Sequence, residues 1–153
     1  MPRVLALLLL LFAAAISPAL HAVDTETDPR AAADPDYAAG KKAIESRDWS
    51  AAIKLFSSAA LRAPDSADIQ NYLGYAHRNA GKLDASFQHY QRALKLDPRH
   101  RGAHEYIGEA YLMVKDLANA EKHLAALDRI CLLPCEEYSD LKAKVAAYKK
   151  SGK

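Results

Sequence analysis

Cys131 and Cys135 are the residues of this chain whose type and spacing best suit chemistry. Pro134 lies between them and prevents a continuous helix, so we expect the pair in an elbow between two helices. Such a pair can form a disulfide, and closing a loop of five residues would contribute about 2 kcal/mol in the chain-entropy model. Two thiolates can instead bind a soft ion such as Cu(I), act as a redox pair or remain free thiols. We favour the disulfide.

Histidines and catalytic motifs add little to this. His100 and His104 are four residues apart, a spacing that can hold a metal on a helix, but no third ligand is predictable, so we predict no metal site. His77 is expected at a contact between helices. The sequence has no Ser/His/Asp arrangement with a local signature, no glycine-rich phosphate loop after a strand and no zinc-protease motif. We therefore expect neither an enzyme nor a cofactor.

The N-terminus has the features of a secretory signal peptide. Arg3 precedes Val4 to Ile16, an uncharged apolar run of 13 residues, and small residues follow Pro18 up to Leu-His-Ala22. The alternative is a membrane anchor, but the run is shorter than the roughly 20 residues that span a bilayer. We predict a signal peptide over residues 1–22, cleavage after Ala22, and a periplasmic or secreted protein. In that compartment the close cysteine pair favours a disulfide.

The charge of the chain is nearly balanced. It has 21 Lys and Arg against 19 Asp and Glu, a net charge of +2, and loss of Arg3 with the signal peptide would leave +1. A chain of mixed, balanced charge has no electrostatic basis for binding nucleic acid or an anionic membrane. Residues 23–33 are polar, and we expect them to form a mobile leader.

Apolar residues after this leader recur at helical spacing and predict seven helices. Asp34, Asp48, Ser66 and Asp116 are candidate N-caps, and prolines, glycine or turn residues separate the segments. The predicted helices are Tyr37–Glu45, Trp49–Leu61, Ala67–Asn79, Leu83–Leu96, Arg101–Val114, Leu117 to about Ile130, and Glu136–Lys149.

The helices follow a 34-residue repeat. Gly40, Gly74 and Gly108 are 34 residues apart, and a residue without a side chain lets two helices of one unit approach closely. Positions within a unit are counted from Ala33, Ala67 and Arg101. Position 20 is small in each unit (Ala52, Ser86 and Ala120), and position 24 is large (Phe56, Tyr90 and Leu124). His89 and His123 share position 23, which we interpret as a surface position.

This pattern resembles the tetratricopeptide repeat family, whose members have Gly, Ala and Pro at these positions. The middle unit matches best, with Leu73-Gly74, Tyr90 and Pro98, although His77 replaces the family's Tyr. The resemblance implies an all-α solenoid of three helix–turn–helix units over residues 34–132, at about 33–66, 67–100 and 101–132. Residues 133–150 would form a capping helix. Its covering face would be Tyr138, Leu141, Val145 and Tyr148, with Lys142 and Lys144 facing water.

The resemblance also implies a protein-interaction scaffold whose concave groove binds a protein or peptide segment. Transferring the family's groove positions gives Tyr37, Lys41, Asp68, Asn71, Tyr75, Arg78, Glu105, Glu109 and Leu112. The clamp that some members use for a C-terminal carboxylate is absent, because Gly102, Tyr72 and Tyr106 occupy its places. The alternative function is a periplasmic metal- or thiol-handling protein that uses Cys131 and Cys135. A homo-oligomer is a further possibility.

Overall fold

Eight α-helices make up the regular structure of residues 28–152, the part of the chain that the computed structural model describes. The predicted signal peptide and the start of the leader, residues 23–27, lie outside these residues. Within them, no helix combines the length and apolar character needed to cross a membrane. The helices are α1 Pro29–Ala32, α2 Pro35–Glu45, α3 Trp49–Arg62, α4 Ala67–Asn79, α5 Leu83–Leu96, α6 Arg101–Met113, α7 Leu117–Ile130 and α8 Glu136–Lys150.

Side-chain caps explain where most of these helices begin. Asp34, Asp48, Ser66 and Asp116 each accept a hydrogen bond from an amide of the first helical turn, as the sequence predicted. His100 does the same for α6 through its ring Nδ1, which accepts from the Ala103 amide. These acceptors satisfy backbone donors that have no partner inside the helix.

The expectation of a mobile leader is wrong for residues 28–33. Asp28 caps α1, Pro29 occupies its first position, and Ala31 is completely buried among the residues of the first unit. The Asp28 amide also donates to Asp68 of α4 over 2.5 Å. A proline-started turn with a buried alanine and a long-range hydrogen bond is therefore part of the folded body.

The helices pack in pairs, α2 with α3, α4 with α5 and α6 with α7, and each pair packs on the next. A Cβ added at Gly40 would lie 2.8 Å from the Phe56 ring, and one added at Gly74 would lie 2.5 Å from the Tyr90 ring. The close approach predicted for these glycines is confirmed, because the large residue at position 24 of the same unit lies directly on each one.

The third unit is closed differently. A Cβ on Gly108 would lie 2.6 Å from Leu141 of α8, not from Leu124 of its own unit. The connector before α8, residues 131–135, is one residue longer than the connectors 63–66 and 97–100. Leu141 is consequently the sixth residue of its helix, the place that Tyr72 and Tyr106 hold in α4 and α6. With Val145 it is buried, so α8 caps the stack as predicted.

Candidate functional site

The first helices of the three units, α2, α4 and α6, form one face of the stack, here called the concave face. A cleft of about 210 Å³ opens on this face. It is called the tyrosine cleft, and its lining is Lys41, Ile44, Glu45, Tyr72, Tyr75 and Tyr106. Tyr72 and Tyr75 come from the second repeat and Tyr106 from the third, so the cleft exists only because the units stack.

Cations already lie against the aromatic walls of the cleft. The Lys41 ammonium is 5.7 Å from the centroid of the Tyr72 ring. The Arg78 guanidinium is 5.3 Å from the Tyr75 ring and 5.7 Å from the Tyr106 ring. Aromatic faces attract cations within about 6 Å, so these contacts hold the rings in place and give the cleft both apolar and polar character.

A charged network lies beside the cleft. Arg78 and Lys144 each form an ion pair with Glu109, and the Lys144 ammonium lies 3.7 Å from Glu105. The side chains of Arg78 and Glu109 are only 11% and 12% exposed. The Lys144 side chain is 47% exposed, as expected for a lysine that faces water, but its ammonium also pairs with Glu109, since Lys144 is the ninth residue of α8 and occupies the place of Tyr75 and Glu109 in their helices.

The two glutamates of this network differ in protonation. Burial, with the neighbouring Glu109 charge, raises the pKa of Glu105 to about 8. Burial also opposes ionisation of Glu109, but Arg78 and Lys144 outweigh it and leave the pKa of Glu109 below its ordinary value. Near neutral pH one carboxyl is therefore charged and paired while its neighbour retains its proton.

The predicted groove residues divide into accessible and buried ones. Lys41 and Tyr75 line the cleft. Tyr37, Asp68, Asn71 and Glu105 are buried, Arg78 and Glu109 belong to the charged network beside the cleft, and Leu112 packs partly buried in the apolar cluster under α8. The prediction omitted Ile44, Glu45, Tyr72 and Tyr106. The shared position of the two tyrosines in successive units was a usable signal for them.

The histidines form pairs inside the stack. His104 Nδ1 lies 2.9 Å from His123 Nδ1, and the rings of His77 and His89 stack at 5.2 Å. The interpretation of His89 and His123 as surface residues is wrong, because both are partly buried and burial lowers the pKa of each to about 4. His77 makes the expected contact between helices. Among residues 28–152 no three His, Cys, Asp or Glu side chains are grouped to hold a metal.

The cysteines lie in the elbow that Pro134 predicted. Their sulfur atoms are 2.08 Å apart and their Cα atoms 5.9 Å apart, between the end of α7 and the start of α8. Leu132 and Leu133, inside this loop, are 97% and 80% exposed. The arrangement connects the third repeat to the helix that caps it.

The fold is therefore a helical-repeat solenoid of the all-α class. The tetratricopeptide repeat family matches residues 37–100 and 88–131, and the chain belongs to this family. No curated protein matches the chain.

Several solved structures share the fold. One is SycD, the type III secretion translocator chaperone of Yersinia enterocolitica, with a TM-score of 0.68 and 18% identity over 76% of this chain and 83% of that one. PcrH, solved with the chaperone binding region of PopD, has a TM-score of 0.67 and 19% identity over 77% and 91%. The TPR2B domain of yeast Sti1, solved with pHsp70, has a TM-score of 0.68 and 18% identity over 81% and 99%. At these identities the likeness concerns the fold.

Proposed function

We propose that this protein is an interaction module whose concave face binds an extended segment of a partner protein. The observation that carries the proposal is the tyrosine cleft, which takes walls from three successive repeats and has room for one side chain of a partner. An apolar or aromatic side chain suits it, because tyrosine rings and Ile44 supply contact area at small cost in conformational entropy.

The charged network beside the cleft is already ordered before a partner arrives. Arg78 lies over two of the tyrosine rings and is held by Glu109, which Lys144 also contacts. Fewer side chains then lose freedom on binding, which favours affinity. Related folds support the binding of a partner segment, since PcrH was solved with a region of PopD and SycD with a peptide of YopD.

Site-specific photo-crosslinking tests the proposal. A photoreactive amino acid at Lys41 or Tyr75 lies in the cleft, whereas one at Leu61 lies on α3, where the native side chain is 84% exposed. We expect a discrete crosslinked partner from the two cleft positions and none from Leu61. Equal crosslinking from all three positions, or none from the cleft, contradicts the proposal.

We further propose that the protein works in the cell envelope or outside the cell. The support is the sequence of residues 1–22, which has the charge, apolar length and cleavage site of a signal peptide. Intact mass of the protein from the extracytoplasmic fraction should correspond to a chain that begins at Val23. A protein that retains Met1 and stays in the cytoplasm contradicts this location.

The alternative of metal or thiol handling depends on Cys131 and Cys135 being free in the native protein. Their position in the elbow between α7 and α8, where a bond between them would join two helices, supports a structural disulfide instead. We therefore propose that the pair fixes the start of α8 to the end of α7, and that α8 in turn holds Lys144 in the charged network beside the cleft.

A further inference from the structure

A second, polar cavity lies beside the tyrosine cleft and shares two of its walls, Tyr72 and Tyr106. Its volume is about 70 Å³. A cavity that holds one water needs only about 10–15 Å³ of such space, so this one accommodates several waters or the polar end of one side chain. Helices α4, α6 and α8 all contribute to its lining, which places it on the path of a segment lying along the concave face.

Asn71 is the most unusual residue of this cavity. It is 4% exposed, and its side-chain Oδ1 is inaccessible to solvent and has no hydrogen-bond partner among residues 28–152. A buried acceptor without a donor costs free energy. Gly102 contributes to the placement of the amide, since a Cβ there would lie 3.2 Å from Asn71 Nδ2. Because Asn71 lines the cavity, a rotation of its side chain would present this acceptor to a bound donor.

Acidic groups outnumber basic ones around the cavity. The carboxylates of Asp68 and Glu137 line it against one guanidinium, that of Arg101, which lies 3.6 Å from Glu137, and Glu105 adds a carboxyl group that retains its proton in the free protein. His100 adds no positive charge, because its Nδ1 accepts from the Ala103 amide and the imidazole is therefore neutral. The carboxyl groups, the Asn71 carbonyl and the tyrosine rings are all groups that attract a cation.

Lys144 provides an example of an ammonium group bound by the glutamates of this region. Lys144 reaches from α8 to Glu109 and lies 3.7 Å from Glu105, which also lines the polar cavity. Lys144 does not line the cavity, and a cation that enters the cavity beside Glu105 would favour release of the Glu105 proton, because an opposite charge nearby stabilises the carboxylate.

We infer that the polar cavity binds a basic side chain of the partner segment, next to the apolar or aromatic side chain that enters the tyrosine cleft. This inference rests on the proposed function of the concave face. Because the two cavities share Tyr72 and Tyr106, the two partner residues must be close in sequence. An extended chain advances about 3.3 Å per residue, so we expect them within about three positions of each other.

Peptide selection tests the inference without knowledge of the natural partner. A random twelve-residue library displayed on phage is selected on the purified protein, with the Tyr75→Ala variant as the control for binding in the cleft. We expect enriched peptides that combine an apolar or aromatic residue with a nearby Lys or Arg and that bind Tyr75→Ala at least tenfold more weakly. Enriched peptides that lack a basic residue overturn the inference but leave the proposed function standing. Failure to enrich any peptide that depends on Tyr75 contradicts the proposed function itself.

A double-mutant cycle then tests whether the Lys or Arg of a selected peptide binds in the polar cavity. Replacing this peptide residue with norleucine should weaken binding of the peptide to the wild-type protein about tenfold. The same replacement should weaken binding to the Asn71→Leu or Glu105→Gln variant less than threefold. Glu121→Gln is the matched control, because Glu121 is an exposed glutamate of α7 paired with Lys149. Glu137→Gln, at the rim of the cavity, replaces the buried variants if circular dichroism shows that they do not fold. An undiminished tenfold effect in every cavity variant overturns the inference.

Discussion

Asp68 and His100 tie the second repeat to the third through a contact of 3.0 Å between Asp68 Oδ1 and His100 Nε2. His100 Nδ1 accepts from the Ala103 amide, so the ring proton lies on Nε2 and is donated to Asp68. The second oxygen of Asp68 accepts from the Asp28 amide. One buried carboxylate thus joins α1, α4 and the start of α6.

Removing this carboxylate should destabilise the whole stack. Asp68→Ala leaves the His100 ring N–H and the Asp28 amide without their acceptor, and a buried unsatisfied donor costs about 1–3 kcal/mol. We expect a loss of that size in the free energy of unfolding measured with urea. Asp65→Ala is the control, because the Asp65 side chain is 60% exposed and its pair with Arg30 lies at the surface. Equal stability of the two variants would contradict this role of Asp68.

Leu141 should anchor the capping helix. It is completely buried, on Gly108, and truncating a buried leucine costs about 2–5 kcal/mol. We expect Leu141→Ala to speed hydrogen exchange of the α8 amides before those of α4 and α5. Leu133→Ala, at a residue that is 80% exposed, should change neither stability nor exchange measurably. Unaltered exchange in α8 after Leu141→Ala would show that the helix is held by other contacts.

The buried histidines should make the protein sensitive to acid. Burial lowers the pKa of His123 to about 4, with His104 and Lys122 adding to the effect, and Tyr111 stacks on the same ring. The unfolded chain takes up this proton near pH 6.5. The folded state binds fewer protons over that range, so its stability falls as the pH drops from 6.5 towards 4. His123→Gln should lose less stability than wild type between pH 7 and pH 5 in urea unfolding. Equal losses of stability in the two proteins would contradict this role of His123.

Glu105 should make the folded protein less stable as the pH rises. Its pKa is about 8 in the folded protein, against 4.5 ordinarily, because of burial and the charges of Glu109 and Asp140, with Lys144 opposing them. The folded state holds this proton more tightly than the unfolded chain, so stability falls as the pH rises from about 4.5 to about 8. Glu105→Gln should therefore gain stability relative to wild type between pH 5 and pH 9, measured by urea unfolding. A difference that does not change with pH would contradict this.

The cysteine pair can be tested by thiol titration of protein purified without a reducing agent. We expect no reactive thiol in the native protein and two after reduction. Replacing both cysteines with serine should cost about 2 kcal/mol if the loop-closure argument holds, with faster exchange at the start of α8. Two reactive thiols in the native protein, or stoichiometric Cu(I) binding by it, would instead favour the metal- or thiol-handling alternative.

The helices were predictable because their signals are local. Asp48, Ser66 and Asp116 cap helices at the positions that sequence reasoning chose, and α4, α5 and α7 have the predicted bounds. The 34-residue spacing of the glycines likewise predicted the close packing of Phe56 on Gly40 and Tyr90 on Gly74, because a repeated unit repeats its contacts.

The candidate site was predictable only in part. The family's groove positions named Lys41 and Tyr75, which line the cleft, but also named Asp68 and Asn71, which are buried. Whether a groove position faces solvent depends on how far the next unit covers it, and one repeat cannot reveal that. Tyr72 and Tyr106 were noted only as missing clamp residues, whereas stacking makes them walls of both cavities.

The helices, the repeat, the place where the repeat ends and the capping role of α8 all followed from the sequence. How α8 is rotated against the third unit followed only from the packing of the helices. The connector before α8 has one residue more than the others, and one residue turns a helix face by about 100°. That shift puts Leu141 on Gly108 and brings the half-exposed Lys144 to Glu109 beside the cleft. Contacts between residues this far apart depend on the rotation of whole helices, which no local sequence pattern encodes.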